Sequence, residues 1–232
     1  MNHVLAVVSC GHYNDLWEPF ARLYGKYWRD PEGMEITPFL VTDPPQTDFP
    51  SAKHSPLSPF WVRDNRWAKR LLVFCKTIKP DTLLLMHDDY FLKAPVRADK
   101  LKKAYEQIDG KTGCVRLFPC PGPDYFLNED WGLVDKNAAY RVSCQAALWR
   151  TDYLCQILEQ VDTSPEFELK GTPFAHGLPD QVLSWRRESM PWPIEYYCTA
   201  VVQGRWQRGA LELCTHEGIN VISNRPIDEG AL

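Results

Sequence analysis

The sequence lacks any apolar run near the roughly 18 residues that a membrane-spanning helix needs. It also lacks a basic segment ahead of its first apolar stretch, and Leu5 to Val8 is too short for the hydrophobic region of a signal peptide. An excess of positive charge is missing as well, since 26 basic residues face 30 acidic ones and the formal net charge is −4. These absences predict a protein without integral membrane association and without overall attraction for nucleic acid.

The 8 cysteines show neither a Cys-x-x-Cys pair nor the Cys/His spacing of a zinc site. Several of them occupy positions that the sequence pattern predicts as strand or helix core. We therefore expect buried, reduced thiols, which favour a cytoplasmic location. Internal repeats and low-complexity tracts are absent too, and no linker divides the chain.

What the sequence does contain is enough apolar surface for a sizeable core: 44% of its 232 residues are hydrophobic and 12% are aromatic. Spacings of hydrophobic residues typical of strands and of helices alternate along the first half of the sequence. They predict strands at His3–Ser9, Glu35–Val41, Thr82–Met86 and Cys114–Phe118, and helices after Asp15, at Arg66–Ile78 and at Asp99–Gln107. This alternation predicts an α/β fold with a mostly parallel central sheet flanked by helices.

The second half of the chain is less regular. We expect strands at Val142–Trp149 and Ile194–Val202, helices at Asp152–Val161, from Asp180 and at Gly209–His216, and loops at Pro44–Pro59 and Thr163–Pro179. Gly218 is a typical helix stop. The absence of a linker indicates a single domain over residues 1–232.

Asp88 and Asp89 follow the most strand-like run of the sequence directly. Ligands of open α/β sheets bind at the carboxyl ends of strands, and two adjacent carboxylates are unfavourable there unless a cation or hydrogen-bond donors compensate them. Hard oxygen ligands suit Mg²⁺ or Mn²⁺, which would bridge the carboxylates to a substrate diphosphate. The alternative is an ordinary strand end whose aspartates accept backbone N–H bonds.

Several segments together resemble the GT-A glycosyltransferases, in particular small bacterial and phage sugar-nucleotide-dependent transferases. The segment Leu83–Leu92 resembles their strand with the Asp-x-Asp metal motif, although His87 stands where that motif has its first acid. The other matching segments are Trp67–Leu72, Gln145–Leu154, Ser164–Glu168 and Gly204–Trp206. These segments are spread over most of the chain, and the resemblance rests on their order and spacing.

The resemblance implies a single GT-A-like, Rossmann-like domain whose nucleotide-sugar-binding half is residues 1–118 and whose acceptor-binding half is residues 119–232. It implies metal-assisted transfer of a sugar, with Mn²⁺ or Mg²⁺ held by Asp89. Asp88 would support the metal or the donor ribose. His216, in a late helix, is the candidate third metal ligand, with His176 as the other histidine to consider.

The donor would be a nucleotide sugar, and a UDP-sugar is our expectation. Arg63, Arg66 and Arg70 offer a positive helix face, because guanidinium groups bind phosphate bidentately; a solvated face is the alternative. The turn containing Ser9 and Gly11, with Tyr13 after it, lies where the nucleotide base and ribose would rest.

Transfer to a hydroxyl needs a second acid, either as a base or beside the reacting sugar. Asp180, in Pro-Asp-Gln, resembles the Asp-Gln of glycogenin-like retaining transferases, but it could equally be a helix N-cap. Glu168 has a rival claim from the Glu-Phe-Glu match. Glu166 and Asp130 are further candidates.

The sequence also fits three alternatives to this glycosyltransferase interpretation. A nucleotidyltransferase normally has a glycine-rich phosphate loop after its first strand, and the corresponding stretch here contains only Gly11. A non-catalytic nucleotide-sugar-binding module is a second alternative. A third is a phage-type DNA glycosyltransferase, for which the Arg63–Arg70 cluster is the local hint. The acceptor is thus a carbohydrate, a glycolipid or modified DNA.

Overall fold

Fourteen strands occur in the computed structural model, which describes residues 2–44 and 55–228. They are β1 His3–Val8, β2 Ile36–Thr42, β3 Ser58–Trp61, β4 Thr82–His87, β5 Phe91–Leu92, β6 Thr112–Arg116, β7 Tyr125–Phe126, β8 Trp131–Leu133, β9 Ala147–Arg150, β10 Gln181–Trp185, β11 Tyr196–Tyr197, β12 Val201–Val202, β13 Arg205–Gln207 and β14 Ile227–Asp228.

Nine of these strands form the central sheet, in the order β3-β2-β1-β4-β9-β6-β10-β8-β7. Only β8 and β9 run against the other seven, as their antiparallel pairing with β10, β7, β4 and β6 shows. The sheet is therefore mostly parallel, as predicted. The remaining strands form a pair, β5 with β11, and a three-stranded sheet of β12, β13 and β14.

The helices cover both faces of the central sheet. A 3₁₀ helix, Gly11–Leu16, leads into α1 Trp17–Tyr27, and the others are α2 Trp67–Ile78, α3 Ala98–Tyr105, α4 Thr151–Leu158, α5 Ser164–Leu169, α6 Gly171–His176 and α7 Arg208–His216. Strand side chains alternate between two cores. Leu5 and Val7 pack with α1, α3 and α7, whereas Val4 and Ala6 pack with α2, α4 and α5.

The first half of the chain matches its sequence pattern closely. The predicted strands and helices up to β6 are all present, and their ends differ from the predicted ones by at most two residues. Gly218 follows α7 with a φ of +65°, the left-handed conformation that glycine adopts easily at a helix end. In the loop predicted at Pro44–Pro59, residues 45–54 lie outside the described ranges, and Ser58 already begins β3.

Three predictions for the second half are wrong. Asp180 does not begin a helix, because Gln181–Trp185 pairs in parallel with β6 as a strand. The predicted loop over residues 163–179 contains α5 and α6 instead, and α5 begins where the Thr163 side chain accepts a hydrogen bond from Glu166 N. The single strand predicted at residues 194–202 is two short strands in different sheets.

The cysteines are all free thiols, but only four of the eight are buried. Cys10 and Cys155 are half-buried, while Cys120 and Cys198 are exposed. Within the described ranges, none of the helices has the length and apolar character required to cross a membrane.

Candidate active site

The carboxyl ends of β1 and β4 lie side by side, because Val8 is in register with His87 in parallel pairing. This register places Ser9 beside Asp88. Ser9 Oγ donates a hydrogen bond of 2.5 Å to Asp88 Oδ2, and Trp17 Nε1 donates one of 2.6 Å to the same Oγ. Asp88 is only 5% exposed. The predicted acidic pair therefore begins with a carboxylate that is fixed in a buried position.

Asp89 is held from the other half of the chain. Thr199 Oγ1 donates a hydrogen bond to Asp89 Oδ2, and Ala200 N donates one of 2.9 Å to the Asp89 carbonyl. The other carboxylate oxygen, Oδ1, is buried and has no hydrogen-bond partner among the residues that the structure describes. Asp89 thus offers one fixed oxygen and one vacant one.

Both aspartates have raised pKa values. Burial raises the pKa of Asp88, and the nearby charge of Asp89 raises it further. Burial also raises the pKa of Asp89, although the positive form of His87 and the Thr199 hydrogen bond oppose this shift. A buried and a half-buried carboxylate, adjacent in sequence and with raised pKa values, form an arrangement that a bound cation compensates.

The residues present fit a divalent cation that takes part of its coordination from substrate. Asp89 Oδ1 supplies an unused buried oxygen, with the Asp88 carboxylate next to it. In the described ranges no three His, Cys, Asp or Glu side chains come together as a complete metal site. Mg²⁺ and Mn²⁺ are commonly bound by one or two carboxylates together with substrate phosphates and water, which is what this pair can provide.

His216 is separated from the acidic pair. It ends α7 as an exposed side chain, with Nδ1 at 3.3 Å from Glu217 Oε1. The same Glu217 oxygen accepts a 2.6 Å hydrogen bond from Tyr27 Oη. Tyr27 ends α1, whereas Trp17 at its start contacts Ser9, and ten helical residues span about 15 Å. The structure therefore does not bring His216 to Asp88 and Asp89.

His87 has a packing environment. Its ring stacks on Tyr90 at 5.3 Å between centroids and lies 5.7 Å from the Trp67 ring. Burial lowers the pKa of His87, against the opposing charges of Asp89 and Glu168. His176 lies elsewhere, with Nε2 at 3.3 Å from the Ala138 carbonyl.

Glu168 reaches the same edge of the sheet as Asp89. Its Oε1 accepts hydrogen bonds from Cys144 N at 2.8 Å and from Ser143 Oγ at 3.4 Å. The segment containing Cys144 leads into β9, where Ala147 is in register with Leu85 near the carboxyl end of β4. The charge of Glu168 also acts on His87. The predicted candidate acid is therefore near the aspartate pair.

Both carboxylate oxygens of Glu166 have partners close to it in sequence. Its Oε2 accepts a 2.9 Å hydrogen bond from Asp162 N, and its Oε1 forms an ion pair of 2.6 Å with Lys170 Nζ. The Lys170 contact lowers the pKa of Glu166 first, followed by the Asp162 bond. Asp130 is likewise paired, with Lys103 Nζ at 3.1 Å. Neither carboxylate joins the group around Asp89.

Asp180 lies at the opposite edge of the sheet. Its carboxylate forms an ion pair of 2.5 Å with Arg150. Arg150 is in register with Thr82, the first residue of β4, whereas Asp88 and Asp89 follow the last one. Five steps of about 3.3 Å along a strand separate these ends. The structure therefore places Asp180 away from the aspartate pair, in an ion pair with Arg150.

The three arginines expected on one basic face have different surroundings. Arg70 is buried and donates hydrogen bonds to the Ser9 carbonyl at 3.0 Å and to the Asp64 carbonyl at 2.9 Å. Arg66 is partly exposed and forms an ion pair of 2.8 Å with Asp64. Arg63 is exposed. Arg70 thus positions the turn after β1, and the predicted common face does not exist.

The turn after β1 borders a cavity of about 430 Å³. Gly11 N donates a hydrogen bond of 3.1 Å to Asp43 Oδ1, which fixes the turn. The Tyr13 ring lies under the Arg225 guanidinium, 4.1 Å from its centre, and Arg225 forms two hydrogen bonds of 2.7 and 2.9 Å with Asp15. The cavity is lined by His12, Asn14, Asp15, Ile222, Ser223, Asn224 and Arg225.

Sequence reasoning missed two residues of this region. Thr199 and Arg225 lie 110 residues from Asp89 and 210 residues from Asp15, the residues to which they bind. The sequence pattern predicts a strand around Thr199 and no element around Arg225, and it indicates no partner for either residue. Only the folded chain places Thr199 on the acidic pair and Arg225 on Tyr13.

No family model and no curated protein matches the sequence. Among solved structures, the chain is similar to residues 1–349 of S. aureus TarS, with a TM-score of 0.54 and 17% identity over 86% of this chain and 61% of that one. A second S. aureus TarS structure gives a TM-score of 0.51 and 17% identity over 86% of this chain and 37% of that one. The chain therefore spans less than two thirds of either TarS chain.

A cytidylyltransferase from Leptospira borgpetersenii is also similar, with a TM-score of 0.48 and 13% identity over 75% of this chain and 70% of that one. At such identities the likeness concerns the fold. The chain shares with the matched part of TarS a mixed α/β fold with a large, mostly parallel central sheet flanked by helices. This confirms the fold class predicted from the sequence.

Proposed function

We propose that this chain is a glycosyltransferase that moves a sugar from a UDP-sugar to a hydroxyl acceptor. One observation carries the proposal: the half-buried Asp89, whose buried Oδ1 has no hydrogen-bond partner among the described residues, shares the carboxyl edge of the sheet with the Glu168 carboxylate. Asp89 can face the donor diphosphate while Glu168 faces the acceptor hydroxyl. Ligands of open α/β sheets bind at this edge.

Asp89, with Asp88 beside it, would hold Mn²⁺ or Mg²⁺. The cation would neutralise the charge that develops on the leaving diphosphate. The protein fixes the aspartates through Ser9 and Thr199, which hydrogen-bond one oxygen of each and thereby restrict their rotation.

Glu168 is the candidate general base for the acceptor hydroxyl. The hydrogen bonds that the described residues donate to it both end on Oε1, so Oε2 is the oxygen that would accept a proton. Because Cys144 N belongs to the backbone, Glu168 is held by a rigid donor. A base on the acceptor side corresponds to an inverting transfer.

The nucleoside would lie along the turn after β1. Ser9 and Gly11 are fixed there by Asp88 and Asp43, and the cavity beside Tyr13 supplies polar side chains for a base or ribose. Burial raises the pKa of Tyr13, and the charges of Asp88 and Asp89 contribute to this rise. Tyr13, whose ring packs against the cavity residue Arg225, would link the cavity with the acidic pair.

The alternatives have less support. A 3₁₀ helix, Gly11–Leu16, occupies the position at which a nucleotidyltransferase normally has a glycine-rich phosphate loop. The arginine cluster that suggested a DNA acceptor is divided between the buried Arg70 and the paired Arg66. A free carbohydrate or a glycolipid is therefore the acceptor class that we retain.

Incubating the purified chain with UDP-, GDP- and CMP-sugars, with Mn²⁺ or with a chelator, tests the proposal. We expect slow release of UDP from a UDP-sugar, dependent on metal and reduced about 100-fold by Asp89→Asn. Asp162→Asn is the matched control, because its side chain is 60% exposed. Pyrophosphate release from a nucleoside triphosphate and a sugar phosphate would instead indicate a nucleotidyltransferase. Intact donors under every condition would contradict both.

A further inference from the structure

Helices α2 and α4 pack side by side in antiparallel orientation. At one end of the pair, Ala68 N donates a hydrogen bond of 3.0 Å to the Asp162 carbonyl just beyond α4. At the other end, Thr151 N donates one of 3.3 Å to the Asp81 carbonyl just beyond α2. Residue numbers therefore increase along α2 in the direction in which they decrease along α4, and the middle of α2 faces the middle of α4.

Cys75 and Cys155 occupy these facing positions. Cys75 belongs to a cluster of buried apolar side chains, and Cys155 packs against that cluster. An ion pair of 2.8 Å between Lys76 Nζ and Glu159 Oε1, next to Cys75 and one turn after Cys155, fixes the helices at this level. Cys75 is 2% exposed, whereas Cys155 is half-buried. Solvent therefore reaches the pair from the Cys155 side.

We propose that Cys75 and Cys155 form a reversible disulfide when the protein meets hydrogen peroxide or an organic hydroperoxide. The inference is independent of the proposed function, because neither thiol belongs to the group around Asp89. It assigns Cys155 as the thiol that reacts first and Cys75 as the resolving thiol.

The chemistry proceeds in two steps. The Cys155 thiolate attacks a peroxide oxygen, the O–O bond breaks, and hydroxide leaves, giving the sulfenic acid of Cys155. The Cys75 sulfur then attacks the Cys155 sulfur, an S–S bond forms, the S–O bond breaks, and the Cys75 proton leaves with the hydroxide as water. Two thiols are oxidised to one disulfide, and one hydrogen peroxide is reduced to two water molecules.

The surroundings favour this order of reaction. The Cys75 hydrogen bond lowers the pKa of Cys155, and the Lys76 ammonium lowers it further, so more of Cys155 is thiolate at neutral pH. The exposed thiols Cys120 and Cys198 provide internal comparisons. Burial raises the pKa of Cys198, which makes it a poorer nucleophile near neutral pH.

The link would close a long covalent loop that includes β4, the acidic pair and β9. Cross-links over long loops restrict the unfolded chain strongly. We therefore expect the oxidised protein to melt about 5 °C or more above the reduced protein. The two helices already contact each other in the reduced state.

The test uses the full chain, treated with hydrogen peroxide, blocked with iodoacetamide and digested with trypsin without reductant. We expect a peptide pair joining Cys75 and Cys155, an intact mass 2 Da lower, and reversal of both by dithiothreitol. Cys155→Ser and Cys155→Ala should abolish the link. Cys120→Ser, the control at an exposed thiol, should keep it.

Two results would overturn the inference. In one, peroxide converts Cys155 to sulfenic or sulfinic acid while Cys75 remains a free, alkylatable thiol. In the other, the principal link joins different cysteines. Because the wild-type protein alone distinguishes these results, misfolding of a variant does not obscure the outcome.

Discussion

Ser9 Oγ donates a 2.5 Å hydrogen bond to Asp88 Oδ2, and this contact joins the carboxyl ends of β1 and β4. Trp17 at the start of α1 donates to the same hydroxyl at 2.6 Å, and Arg70 of α2 donates to the Ser9 carbonyl at 3.0 Å. Helices from both faces of the sheet therefore meet at Ser9. The acidic pair is held by the first strand and by its neighbouring helices before any substrate is present.

Ser9→Ala should lower the free energy of unfolding by about 1–3 kcal/mol, because both the Asp88 carboxylate and the Trp17 indole lose a buried partner. Urea unfolding at neutral pH measures the change. Ser58→Ala is the control, since Ser58 is an exposed serine at the start of β3, and it should change stability by less than about 0.5 kcal/mol. Equal effects of the two substitutions would contradict the role given to Ser9.

Glu168→Gln should lower the turnover number about 100-fold and leave the affinity for the donor unchanged, because the amide keeps the size of the side chain but cannot accept a proton. Steady-state kinetics with the identified donor and acceptor, with calorimetric titration of UDP, separates the two quantities.

Glu166→Gln is the matched control for Glu168→Gln, two residues away on the same helix. It weakens the ion pair with Lys170 and the bond from Asp162 N, so we expect only a small loss of stability. Turnover per folded molecule should stay the same. If Glu166→Gln reduces turnover and Glu168→Gln does not, the candidate base is the wrong glutamate.

Asp180→Asn should destabilise the protein by about 1–3 kcal/mol, because the 20% exposed Arg150 side chain loses its nearly buried partner. Turnover per folded molecule should be unchanged, since Asp180 lies at the far edge of the sheet. Thermal unfolding and kinetics on the same preparation check both statements. A large loss of turnover with wild-type stability would show that Asp180 acts in the reaction after all.

Glu217→Gln should lower stability at pH 7 by about 1 kcal/mol, a small effect because its partner Lys26 is largely exposed. Hydrogen bonds from Lys26 and Tyr27 lower the pKa of Glu217 from 4.5 to about 2. A depressed acid pKa stabilises the fold above pH 4.5, and this contribution is lost as pH falls towards 2. The difference from wild type should therefore vanish near pH 2.

The pH dependence of unfolding, compared with Glu212→Gln on the same helix, checks this prediction. Glu212 is exposed, so its substitution should leave the profile unchanged. A Glu217→Gln profile parallel to wild type over the whole pH range would mean that the ion pair does not persist in solution.

The sequence predicted those parts of the fold that depend on local pattern. The strand periodicity of β1 and β4 and the helix periodicity of α2 are continuous, and the position of Asp88 and Asp89 follows from the end of β4. The same local reasoning failed at Asp180. A short polar residue before an apolar run can begin either a helix or a strand, and pairing with β6 decides between them.

Residues brought together by long-range folding could not be predicted. Thr199 contacts Asp89 across 110 residues, and Arg225 contacts Asp15 across 210. His216 is a different case. A histidine late in the chain and near a helix end is a reasonable candidate ligand, but its helix contacts the far end of α1 through Glu217. Sequence motifs identify candidate acidic residues, but only the three-dimensional structure shows which of them lie close together.

The central claim is that Asp89 binds a divalent cation together with the donor diphosphate, and titration of Mn²⁺ in the presence of UDP, followed by electron paramagnetic resonance, tests it most directly. Wild type and the control Asp162→Asn should bind Mn²⁺ with equal affinity, and Asp89→Asn should bind it at least about tenfold more weakly. Equal Mn²⁺ affinity of Asp89→Asn and wild type, or no UDP-dependent binding by wild type, would contradict the claim.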